Sequence, residues 1–236
     1  MPASTPSPQT ATAKTEAPVA KLGLRARGKL EKRRRIKQSA REVFLEKGYD
    51  AATTREIAER AEVAIGTLFV YAKDKRDLLM MIINDDLDRV NAELSEELGQ
   101  VQDDAPLIDQ LTNFFGRRYR YWAGEPRLAR PAVQATFDFL STSTSQGPET
   151  ARFYARRSQI VELLLSIIVS KQKAGKIGAV HSADDIAALF MTIYLTEVRR
   201  WLNDDNPQAD LGIARLRKLM ALALCGVAPA PGEADI

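Results

Sequence analysis

Apolar residues recur along most of this chain at spacings of three and four, the period of a helix with one buried face. Ile36, Ala40, Val43 and Phe44 form the first stripe, which ends at "KGYD", where Gly48 suits a helix C-cap. A short second helix is predicted over 54–61, with Thr53 or Thr54 as N-cap and Ile57, Ala58 and Ala61 facing inward. A third is predicted over 65–71 and a long amphipathic one over 75–98. Pro106, Pro126, Pro148, Gly175 and Gly178 divide the remainder into five more, near 106–123, 126–140, 148–174, 183–203 and 210–225. The tract "IVELLLSIIV" (160–169) fits a buried strand on periodicity alone. Its flanks continue without a turn signal, so length favours a buried helix. No alternation of period two and no internal repeat stands out. The pattern predicts an all-α protein.

Charge changes this picture once it is located. The net charge of the 236 residues is only +3, yet residues 21–47 carry +8 and residues 48–236 carry −5. A basic arm on an acidic body is the footprint of a protein that meets a polyanion at one end. Residues 1–20 are rich in Pro, Ala, Thr and Ser and lack an apolar core segment, so 1–28 reads as a disordered basic tail and not as a secretory signal. The single Cys225 excludes an internal disulfide and fits a reducing cytoplasm. No run approaches the 18 or so apolar residues of a membrane span.

The stretch "TTREIAERAEVAIGTLFVYAKDK" places two short helices around a tight break, the helix-turn-helix arrangement. The small Ala58 lets the helices approach, Val63 closes the turn and Leu68 anchors the second helix. Ile65, Gly66, Thr67, Phe69, Val70 and Tyr71 then point outward. A helix lying in a major groove needs few charges, because thymine methyls and base edges are met by apolar and hydroxyl groups. Phosphates fall to the flanks, here Thr53, Thr54, Lys73, Lys75 and the run Arg33, Arg34, Arg35 and Lys37.

From about Ile36 to Leu79 the residues "AREVFLEKGYDAATTREIAERAEVAIGTLFVYAKDKRDLL" resemble the DNA-binding domain of TetR-type transcriptional regulators. The resemblance rests on "KGY", "TT", "IA" and "GTLF.Y...K..LL" at fixed spacing. It implies an N-terminal three-helix domain (29–75), a larger helical effector-binding and dimerisation domain (76–228) and a short disordered tail (229–236). By position it implies phosphate contacts from Thr54, Tyr71 and Lys75, and base contacts from Ile65, Gly66, Thr67 and Val70 with Phe69 beside them. The chain departs from the pattern at Glu62, which stands in the turn where Gly is common, and at Ile65, Val70 and Ala72. If Glu62 must take a positive φ, that costs roughly 1 kcal/mol.

Other signals have plainer explanations. "GLRARGKL" (23–30) nearly spells a phosphate-binding loop but ends in Leu30 and follows no strand. His181 has no Cys or His partner for a metal site. No set of nucleophile, base and orienting acid assembles, so neither an enzyme nor a cofactor is expected. "FFGRRYRYW" (114–122) fits a core stripe, an effector-pocket wall or, more remotely, a stacking platform for single strands. Phe115, Tyr119, Trp122, Phe137, Phe139, Phe153 and Tyr154 are the candidate effector-lining residues. Ile186, Phe190, Ile193, Glu197, Trp201, Leu216 and Met220 form stripes on the last two helices that a two-fold four-helix bundle would bury.

These signals predict a cytoplasmic, homodimeric regulator of double-stranded DNA, a repressor answering to a small apolar or amphipathic effector at a pseudo-palindromic operator. The alternative is an architectural or scaffold DNA-binding dimer whose C-terminal domain docks a protein. A closed cavity of several hundred Å³ lined by the aromatics would favour the regulator, and a collapsed core the scaffold.

Overall fold

The computed structural model describes residues 23–98, 105–137 and 146–225. Among them are nine helices: α1 (Leu24–Lys47), α2 (Thr54–Arg60), α3 (Ile65–Tyr71), α4 (Lys75–Leu98), α5 (Leu107–Gly124), α6 (Pro126–Phe137), α7 (Pro148–Lys173), α8 (Ala183–Leu202) and α9 (Ala209–Cys225). The tract 160–169 lies within α7, so it is helix and not strand. The chain is all-α.

α1 begins at Leu24, several residues before the apolar stripe that predicted it. Residues 24–28 of the expected disordered tail are therefore helical. Their reason is local: Leu24, Arg25, Ala26 and Arg27 are good helix formers, no proline intervenes, and the helix carries the one weak former, Gly28. Most of this first stretch is exposed, with Leu24 and Leu30 in the open. The near-phosphate-loop motif lies on this helix. Residues 1–22 and 226–236 lie outside the described residues, and with them the tail at 229–236.

The turns obey simple chemistry. Gly48 ends α1 at φ 83°, its N–H donating to Phe44 O at 2.9 Å. Thr53 opens α2 with a capping box: its Oγ1 accepts from the Glu56 N–H, and Glu56 Oε2 accepts from the Thr53 N–H at 3.0 Å. α2 closes in a Schellman turn, with the Val63 N–H donating to Ala58 O at 3.0 Å and the Glu62 N–H to Glu59 O at 3.1 Å. That turn demands a left-handed residue, and Glu62 supplies it at φ 53°. An acidic side chain thus stands where glycine would be unstrained.

Ile36, Ala40, Val43, Phe44, Ile57, Ala58, Leu68 and Ala72 form the core of the N-terminal three helices. The C-terminal body packs α4 against α7 and α5 against α9, with α8 between α7 and α9. α5 and α9 approach so closely that a Cβ on Gly212 would lie 2.6 Å from the Tyr119 ring and 2.9 Å from Trp201.

Candidate nucleic-acid interface and effector cavity

α3 carries the exposed face that the sequence assigned to base reading. Leu68 is its buried anchor, while Val70 is 75% exposed and Ile65 and Phe69 are also open to solvent. Gly66 is exposed, and Thr67 and Tyr71 are half-buried at its edges. No charged side chain belongs to this helix. Thr54 sits half-buried in the first turn of α2, and Arg55 beside it is exposed with no acidic partner among the described residues. The sequence reading missed Arg55, although its place next to the two threonines was the available signal.

Several of the predicted phosphate ligands also have partners within the chain. Arg33 donates to Asp85 at 3.1 Å and to Glu149 at 2.8 Å, which ties α1 to α4 and α7. Lys75 donates to Asp50 O at 2.9 Å and lies 4.8 Å from the centre of the Tyr49 ring, so its ammonium steadies the loop after α1. Arg35 reaches Glu62 at 3.5 Å, at the strained turn. Arg34 is exposed, paired with Glu31 at 2.6 Å on its own helix.

Arg33 belongs to a seam of ion pairs between the two halves. Lys37 also holds Asp85 at 2.7 Å, and Arg41 holds Asp86 at 3.2 Å and Glu125 at 2.5 Å. Burial alone would raise the Asp85 carboxyl, but hydrogen bonds from Arg33 and Lys37 outweigh it and hold the group well below the usual carboxylate range. At Glu149 burial is likewise outweighed, by Arg33 and Asn84. A carboxylate whose folded pKa is depressed contributes stability that is complete above its unfolded pKa and lost as pH falls through the folded one. The seam is therefore expected to be intact above about pH 5 and to weaken progressively below about pH 4. Chemical unfolding midpoints measured across that range should fall with acid, and less so in Asp85→Asn.

A second link runs from α3 to α7. Asp77, fully buried in the first turn of α4, accepts the Lys73 N–H just past α3 at 3.0 Å. It also accepts the Thr150 N–H at 2.7 Å and the Thr150 hydroxyl at 3.0 Å. α7 starts with Gly147 as its N-cap, which has no side chain to offer, so Asp77 caps α7 from another helix. A Cβ on Gly147 would overlap the Asp77 carboxyl group.

α7 leads into a cavity of about 70 Å³ between α4, α5, α6, α7 and α8. Trp122, Phe153 and Tyr154, three of the candidate effector-lining residues, line it. Phe115 and Tyr119 do not. Both are fully buried behind it, Phe115 stacked on Tyr194 at 4.6 Å and Tyr119 tilted on Trp201 at 4.7 Å, so they are core. The Phe137 side chain and Phe139 lie outside the described residues. The cavity is far smaller than the expected several hundred Å³, because these rings pack on one another.

The residues of the predicted dimer stripes are largely covered by their own chain. Phe190, Glu197, Trp201, Leu216 and Met220 are buried within the single chain, and Ile186 and Ile193 are half-buried. α8 is apolar on two faces, and α5 claims the aromatic one. The outward faces carry Leu189 on α8 and Leu211 and Leu222 on α9, with Leu211 69% exposed.

The comparisons agree with this geometry. Residues 36–80 match the family described as "Bacterial regulatory proteins, tetR family". Over 192 residues the chain is 30% identical to the HTH-type transcriptional repressor KstR of Mycobacterium tuberculosis, covering 79% of this chain and 80% of that protein. The chain belongs to the TetR family. It is a DNA-binding transcriptional regulator. Another relative, the HTH-type transcriptional activator FasR of Mycolicibacterium smegmatis, is 25% identical over 189 residues, 75% of either chain. Among solved structures, Bacillus subtilis FadR in complex with stearoyl-CoA superposes with a TM-score of 0.62 at 19% identity, covering 83% of this chain and 99% of that one. Thermus thermophilus FadR in complex with lauroyl-CoA gives 0.61 at 22%, covering 85% and 99%. Among the described residues no helix is long and apolar enough to cross a membrane.

Proposed function

We propose that this TetR-family protein is a cytoplasmic homodimeric repressor that releases a pseudo-palindromic operator when an amphipathic effector enters the C-terminal domain. The carrying observation is the uncharged, exposed face of α3, with Ile65, Phe69 and Val70 standing clear of the core around Leu68. Ile65, Gly66, Thr67 and Val70 meet base edges, and Thr54, Arg55 and Tyr71 hold phosphates. The exposed leucines of α8 and α9 support a two-fold contact. Kinship with KstR, a repressor, and the acyl-CoA esters held by two FadR neighbours support the effector class.

Sequencing of DNA fragments selected by the purified protein tests the reading, and two inverted half-sites are expected. Val70→Ala and Ile65→Ala should each lose about 1 kcal/mol or more on that site, if they contact thymine methyls, and much less on a scrambled one. Equal losses on both at fixed salt would sink base reading by α3. One observation favours the alternative reading of a scaffold with no small ligand: the cavity of about 70 Å³. An operator complex indifferent to lauroyl-CoA and to the free acid would support that alternative.

A further inference from the structure

The cavity contains a charge that no described carboxylate compensates. Arg118 of α5 lines it and is 2% exposed, and no carboxylate pairs with it among the described residues. Its Nη2 donates to Asn91 Oδ1 at 2.5 Å, while its Nε has no acceptor. The Asn91 Nδ2 donor beside it is also buried and unsatisfied. Tyr194, on the same wall, accepts the Trp122 indole N–H at 3.1 Å, which leaves its own O–H to donate.

Arg156, the other arginine of the cavity, shows what a compensated charge looks like here. It is hydrogen-bonded to the Asp88 carboxylate and to the Asn84 side chain and carbonyl. Burial pushes the Arg118 guanidinium below its ordinary value, Tyr194 offsets part of this, and the nearby Arg156 charge adds to the depression. A buried cation with unsatisfied donors is costly, and an anion reaching it would relieve that cost.

We propose that the cavity binds an amphipathic monocarboxylate with its carboxylate inward on Arg118 and Tyr194 and its apolar body along Trp122, Phe153 and Met191. This deepens the regulator reading and rests on it only for the consequence at the operator. The polar groups that line the cavity without a full set of partners, the Arg118 guanidinium and the Tyr194 hydroxyl, can donate, so they select an acceptor-only head. The space admits such a head first: about 70 Å³ is room for roughly two waters. The body follows by displacing Met191 and Phe153, whose side chains make the wall. A free acid satisfies the charge, whereas a coenzyme A thioester brings only a neutral carbonyl to that point.

The test is calorimetric titration of the full-length protein, without DNA, with dodecanoate, dodecan-1-ol and lauroyl-CoA, together with thermal melts. Dodecanoate is expected to bind about tenfold or more tighter than the alcohol, the order of one charge-assisted hydrogen bond. Arg118→Met should abolish that preference and, unlike most core substitutions, melt higher than the wild type in buffer alone. Arg118→Lys, which keeps a charge, should retain a weaker preference. Equal affinity for acid and alcohol, binding of neither, or a preference surviving in Arg118→Met overturns the proposal. If lauroyl-CoA releases the operator while dodecanoate shows no preference, the head-group inference fails and the regulator reading stands. If dodecanoate binds through Arg118 and no ligand changes operator binding, the cavity site stands and the ligand-responsive reading fails.

Discussion

Asp77→Ala is expected to lose about 3 kcal/mol of stability and to disconnect effector from operator. The carboxylate satisfies two backbone N–H groups and one hydroxyl in a place with no water access. Removing it leaves the buried Thr150 N–H without its acceptor, at about 1–3 kcal/mol before relaxation, and takes the bond from the part-buried Lys73 N–H as well. Urea unfolding measures the stability loss. The mechanism adds a sharper signature, since Asp77 joins the end of α3 to the start of α7, and α7 carries Phe153, Tyr154 and Arg156 of the cavity wall. The variant should still bind operator while its affinity no longer changes with effector. Gly147→Ala should be costly in the wild type, because the new methyl meets the Asp77 carboxyl, and nearly free in Asp77→Ala. Additive costs in that double-mutant cycle would show that the two residues do not act together.

Leu216→Asp should unfold the protein, whereas Leu189→Asp and Leu222→Asp should leave folded monomers. Leu216 is fully buried, so a carboxylate there forfeits apolar burial and strands a charge, about 4 kcal/mol or more against a total of roughly 5–15. Leu189 and Leu222 lie on outward faces, and a charge there costs the single chain little. Across a two-fold contact each charge would face a like charge or an apolar wall. Circular dichroism separates loss of fold from loss of partner, and sedimentation reads the mass. Folded dimers from both outward variants would move the interface elsewhere.

The helix boundaries were legible because their signals are local. Pro126, Pro148 and Ser182 each stand within a residue of where a helix begins. Even the strain at Glu62 followed from its place in a turn that needs a left-handed residue. What depends on which surfaces meet was not legible. Arg33 looks like any other member of a basic run until α1 lies along α4 and α7. The stripes on α8 and α9 have the right period, but periodicity cannot say which of two apolar faces a neighbour will cover. Phe115 and Tyr119 were expected beside an effector, and they pack instead against Tyr194 and Trp201, residues more than seventy positions away. Arg118 was noted only as one position in an aromatic stripe. Its isolation from the described carboxylates is a property of the packed chain.

The seam of Arg33, Lys37 and Arg41 against Asp85, Asp86, Glu125 and Glu149 gives ionic strength two points of action on one molecule. Added salt competes for phosphates at the reading head, and it also screens these half-exposed pairs, which hold the head to the body. The slope of log affinity against log salt is therefore expected to carry a contribution from these pairs as well as from phosphates. The osmotic state of the cell accordingly sets how stiffly the two halves are joined as well as how firmly DNA is held.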